Sequence, residues 1–244
     1  MICGRELRDI YTEATSRRFK SLSFGAGRRN RRLKVLTPPS TNKALFNLST
    51  QLSKSGIRHM AVGALPVNYY GRPRFSEDLD IVILLDEGQE LALFGILKQP
   101  RYVILYPNRE INRDDPDLRF PEDLKKINLV KMRDTATGTL IDILIGTSAY
   151  GLTPESFTRA RMVELEGRSI RIASPEDYIL MKLVSRRPAT EDFGDMFTTM
   201  VNNFQILDWA YLERRCGELN ISALLTEYRE RAKAIVGRGT ATDT

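Results

Sequence analysis

Two carboxylates one residue apart interrupt an otherwise apolar run: Asp78-Leu79-Asp80 is followed by Ile81-Val82-Ile83-Leu84-Leu85. Side chains alternate faces along a strand, so Asp78 and Asp80 point the same way, roughly 6.5 Å apart along the chain, while Leu79 and Ile81 point into a core. Two acids at that spacing suit a shared pair of divalent cations about 3.5–4 Å apart. Crowding them on one strand costs desolvation and mutual repulsion, which a metal ion relieves. The chain carries its own control in Asp115-Pro116-Asp117, where a proline and charged neighbours indicate a loop and solvated acids. Upstream, Gly63 ends the apolar stretch Met60-Ala61-Val62 and opens a short helix. The free N–H groups and positive dipole end of a helix start favour a phosphate.

A small-residue pair after a strand, with Asp-x-Asp on the next strand some ten to fifteen residues later, resembles the nucleotidyltransferase superfamily of DNA polymerase beta. The pair here is Gly63-Ala64. The run Arg72-Pro73-Arg74-Phe75-Ser76-Glu77-Asp78-Leu79-Asp80 is most similar to minimal bacterial nucleotidyltransferases, including abortive-infection toxins. The resemblance implies a small mixed β-sheet domain flanked by helices (an α/β, or α+β, fold) and then a C-terminal helical domain. It implies transfer of a nucleoside monophosphate from an NTP to an acceptor hydroxyl or phosphate, with two Mg²⁺ ions and release of pyrophosphate. Asp78, Asp80 and Asp142 become the catalytic, metal-binding carboxylates, and Gly63, Ala64, Ser76, Lys182 and Arg186 the nucleotide contacts. The acceptor is left open among tRNA, an antibiotic-like small molecule and a protein, as is pairing with an antitoxin protein. The sequence departs from the family in two places: Ala64 has no hydroxyl for a terminal phosphate, and Glu191 stands where a basic residue usually precedes the first acid of Asp192 and Asp195.

Asp142 has two readings. It interrupts Leu140-Ile141 and Ile143-Leu144-Ile145, and an acid in a buried strand needs a partner. That partner is a metal ion in the resemblance, or Lys131 or Arg133 across the hairpin formed by 127–132 and 139–145 around Asp134-Thr135-Ala136-Thr137-Gly138. Lys182 likewise reads as a triphosphate contact through the resemblance and as a solvated lysine without it. His59, the sole histidine, reads as structural, since no nucleophile is signalled near it.

Elements that would position these groups follow from periodicity. A helix should start at Thr41, its cap, with Leu45, Leu48 and Leu52 on one face, and end at Gly56. Residues 57–62 should form the first strand. A helix over 87–99 carries Leu91, Phe94 and Leu97, a strand covers 102–106, and 107–126 is a polar loop fit for acceptor specificity. The resemblance implies a short strand over 169–172, and the helix after it should be capped by Ser174, with Pro175 first and Asp177 reaching back. Further helices are expected over 195–207, 209–219 and 221–236.

The expected organisation is therefore a basic tail over 1–40, a catalytic domain over 41–172, a helical domain over 173–236 and a frayed end over 237–244. The 244 residues carry a formal charge of +6. Residues 1–36 hold ten Lys or Arg against three acids, which leaves 27 basic and 28 acidic residues beyond them. The tail reads as a disordered extension, or as an RNA-binding arm whose arginines contact phosphates. That second reading, with a catalytically degenerate nucleotide-binding site, is the alternative to an enzyme. Two distant cysteines argue against a disulfide framework. The absence of an apolar run near 18 residues argues against a membrane span, so a cytoplasmic protein is expected.

Overall fold

The computed structural model describes residues 37–106, 109–111, 128–146, 150–185 and 190–240. The stretch 1–36, most of the 107–126 loop and Arg186 lie outside the described residues. The chain order is α1 (Pro39–Lys54), β1 (Arg58–Ala61), α2 (Ala64–Tyr70), β2 (Leu79–Leu84), α3 (Glu90–Leu97), β3 (Tyr102–Tyr106), β4 (Arg109–Ile111), β5 (Leu129–Asp134), β6 (Leu140–Ile145), α4 (Pro154–Arg159), β7 (Arg161–Leu165), β8 (Arg168–Ile172), α5 (Pro175–Ser185), α6 (Thr190–Asn203), α7 (Trp209–Glu218) and α8 (Ser222–Thr240).

The strands form one mixed sheet in the order β4-β3-β5-β6-β2-β1-β8-β7. β2 and β6 run parallel at its centre, and the hairpins β5–β6 and β7–β8 are antiparallel. Alternation along β2 divides the core. Leu79, Ile81 and Ile83 pack with Leu45, Leu48 and Leu52 of α1 and Leu93 of α3. Val82 faces the other way, with Met60, Val62, Leu152, Phe157 and Ala173. A third apolar cluster joins Leu180, Leu183, Met196, Met200, Leu212 and Leu225 of α5 to α8.

Several local expectations are replaced by tertiary contacts. α1 begins at Pro39 without a side-chain cap, because proline suits a first turn whose N–H groups have no helical partner. Thr41 instead donates to the Glu77 carbonyl at 2.9 Å, just before β2. α3 is shorter than expected, and Leu91 is 69% exposed while Leu93, Ile96 and Leu97 are buried. The 169–172 strand gains a partner in β7 through the two-residue turn Glu166-Gly167, with φ of 50° and 74°. That pair of positive φ values is the geometry a tight hairpin prefers.

Candidate active site

β2 and β6 align so that Asp80 is the direct partner of Asp142. Strand spacing of about 4.8 Å places the two Cα atoms side by side. Asp80 has the parity of Val82, and Asp142 that of Leu144, so both carboxylates face the side of the sheet that α4 and α5 cover. Asp78 lies one residue before β2 and is exposed. The structure thus joins two of the expected acids in register and leaves the third at the strand entrance.

Burial pushes the Asp80 carboxyl above the ordinary carboxylate range, and the negative charges of Asp142 and Asp78 push it further. Lys182 and Arg74 oppose the rise. Lys182, on α5, therefore acts on Asp80 across the sheet face, and its Nζ also lies 5.7 Å from the centre of the Tyr178 ring. Arg74 is a member of this site that residue spacing alone does not assign. It donates from Nε to Asp195 of α6 at 2.7 Å, while its backbone N–H donates to Asn68 Oδ1 of α2 at 2.7 Å. One arginine before β2 thereby joins α2 and α6 beside the acids.

Gly63 turns the chain from β1 into α2 with φ 65° and ψ −127°, a conformation open to a residue without Cβ. The turn also lies against the acid: a Cβ at Gly63 would stand 2.0 Å from Asp80 Oδ2 and 2.8 Å from its Cγ. The glycine turn and the carboxylates are one packed unit, which spacing alone does not reveal. Ala64 follows as the buried first residue of α2. Ser76 donates to the Asp78 carbonyl at 3.3 Å and so shapes the approach to β2.

The cross-hairpin partner of Asp142 is present. Lys131 sits opposite it in the β5–β6 ladder and donates from Nζ to Asp142 Oδ2 at 2.6 Å. Among the described residues no group of three or more His, Cys, Asp or Glu side chains is placed to hold a metal ion. Their chemistry nonetheless fits a hard cation: carboxylate oxygens are its preferred ligands, and the repulsion from Asp142 and Asp78, which adds to the effect of burial on Asp80, is what such a cation relieves.

No protein-family model matches the chain, and no curated protein matches it in sequence. Among solved structures, the chain is similar to an antigenic nucleotidyltransferase-like protein from Paracoccidioides brasiliensis at 16% identity and TM-score 0.46, covering 78% of this chain and 92% of that one. It is similar to the antibiotic-resistance factor ANT(2'')-Ia in a solution structure at 12% identity and TM-score 0.47, covering 80% and 99%. A crystal structure of ANT(2'')-Ia with adenylyl-2''-tobramycin gives 12% identity and TM-score 0.42 over 78% and 97%.

Proposed function

We propose that the chain transfers a nucleoside monophosphate from an NTP to an acceptor hydroxyl or phosphate and releases pyrophosphate. The observation that carries this reading is the in-register pair Asp80 and Asp142 on parallel strands, with the Gly63 turn packed on the Asp80 carboxyl. Asp78, Asp80 and Asp142 would hold Mg²⁺, which when bound neutralises phosphate charge and favours the ionised acceptor. The chain's own groups do the rest. Gly63 and Ala64 bring backbone N–H groups close to the acids, where phosphates must lie, and Ser76 borders the same entrance. Lys182 supplies positive charge where negative charge develops on the triphosphate. Asp142 takes the acceptor proton, and Lys131 holds the other side of that carboxylate in place.

The acceptor classes are a tRNA end, an antibiotic-like small molecule and a protein side chain. Transfer to a protein or tRNA is compatible with a toxin that an antitoxin partner restrains and with an RNA-modifying enzyme, and transfer to an antibiotic-like molecule with a resistance enzyme. The test is incubation with α-labelled NTPs, Mg²⁺ and a panel of these acceptors. Labelled product and pyrophosphate should appear with the wild type and disappear with Asp80→Asn, while absence of NTP-dependent product across the panel would overturn the reading. One observation favours a second reading: Lys131 already ion-pairs with Asp142, as expected of a site that binds nucleotide without turnover. Saturable NTP binding with no pyrophosphate release would select it.

A further inference from the structure

A second cluster of chemistry-bearing groups surrounds His59, and none of its members is one of the three acids. His59 on β1 lies on the α1 side, opposite the carboxylates, since its strand partner is Ile83 and its near neighbours Ile57 and Ala61 belong to the α1 core. Its Nδ1 lies 2.9 Å from the Ile57 carbonyl. A carbonyl only accepts, so Nδ1 carries the proton and Nε2 is left as an acceptor. Ser49 Oγ, one helix over on α1, is 2.6 Å from that Nε2 and donates to it.

The pair opens on a cleft of about 280 Å³ whose polar wall is Ser49, Ser53, Arg58, His59, Ser169 and Arg171. Among the described residues no carboxylate lines it. Arg58 is held at the rim by Asp86. Arg171 makes no ion pair among the described residues, yet it acts electrostatically on His59. A structural histidine needs its two hydrogen bonds. It does not need a cleft of three hydroxyls and a guanidinium with no counter-charge.

We propose that this cleft is a binding site for a phosphate-type dianion, such as a terminal phosphate or sulfate, held by the Arg171 guanidinium and the hydroxyls of Ser49, Ser53 and Ser169 with His59 behind Ser49. Guanidinium and hydroxyl donors together match the acceptor-rich edge of such an anion. The Ser49–His59 hydrogen bond couples the site to a proton. With the imidazole neutral, Ser49 spends its proton on Nε2. With the imidazole charged, Nε2–H donates to Ser49 Oγ and the serine proton turns to the anion. Burial and Arg171 both hold the His59 pKa down, against the Ile57 carbonyl, which raises it. Arg58 and Arg171 are the charged groups of the cleft wall, and an anion beside them offsets their field. Binding therefore takes up a proton, and affinity rises as pH falls through the His59 titration.

His59 is the sole histidine, so its ring resonances in the untagged full-length chain report this cleft alone. With EDTA present, sodium sulfate is titrated against sodium chloride at matched ionic strength, because sulfate stays doubly charged between pH 5 and 8. Sulfate should shift the ring signals saturably and raise the apparent His59 pKa by about one unit, which is tenfold tighter binding to the charged imidazole. Inorganic phosphate should act likewise, and Arg171→Met and Ser49→Ala should each blunt the response. Equal effects of sulfate and chloride, or an undiminished response in Arg171→Met, would overturn the proposal. So would a response to a phosphodiester oligonucleotide with none to the dianions, which would assign the cleft to a nucleic-acid backbone.

Discussion

Gly63→Ala probes the contact between the glycine turn and the acids most directly, because two separate costs fall on one methyl group. The first is backbone strain: φ 65° with ψ −127° lies outside the regions an L-residue favours, at a cost of about 1–3 kcal/mol. The second is steric, since the new Cβ would lie 2.0 Å from Asp80 Oδ2 and 3.1 Å from its Cβ. Asp80 must swing away, and overfilling a packed site costs about a further 1–3 kcal/mol. Gly138→Ala is the matched control, for Gly138 also has a positive φ of 75° but nothing within 4 Å of its added Cβ. Denaturant unfolding in EDTA should show Gly63→Ala losing about 2–6 kcal/mol and Gly138→Ala only the strain. Combining Gly63→Ala with Asp80→Ala should recover most of the steric part, because the carboxylate is then gone. Transfer activity should fall with Gly63→Ala and survive Gly138→Ala. Equal losses for the two glycines, with no coupling to Asp80, would refute the packing of turn against acid.

Asp80→Asn tests the charge argument through stability. The folded state raises the Asp80 pKa, so the favourable, protonated form is fully present below the unfolded value and is lost as pH rises through the folded one. In EDTA the asparagine variant should be more stable than wild type near pH 7, with the gap narrowing towards pH 4. Thermal melts across that range check it, and a gap that grows on acidification would sink it. Lys182→Ala should weaken NTP binding by about 1.5–3 kcal/mol; calorimetry showing unchanged affinity would return Lys182 to a surface role. Tyr211→Phe removes the 2.6 Å hydrogen bond to the fully buried Asp177. Leaving that carboxylate with one fewer donor should cost about 1–3 kcal/mol in denaturant unfolding, with no change in NTP affinity.

Strong local signals were legible without a structure. Leu45, Leu48 and Leu52 are buried on α1 as their helical spacing requires. Ser174 accepts from the Asp177 N–H at 3.0 Å, the N-cap bond that the Ser-Pro-Glu-Asp order announces, and its hydroxyl donates to the Asp177 carboxylate at 2.7 Å. The hairpin around Gly138 forms because a glycine at positive φ closes it. These features depend on residues within a few positions of one another, and chain geometry alone brings those together.

Contacts between distant segments were decided by packing. Nothing in the order of residues specifies that Arg74 meets Asp195, 121 positions away, or that Ser49 and His59 share a proton across a helix and a strand. The two readings of Asp142 illustrate the limit. Alternation put it on a strand face, but the parallel register beside β2 set it next to Asp80, while the antiparallel register with β5 delivered Lys131 to the same carboxylate. A sequence states that an acid in an apolar strand needs a positive neighbour. Which neighbours it receives depends on strand order and register, properties of the assembled sheet that no single segment contains.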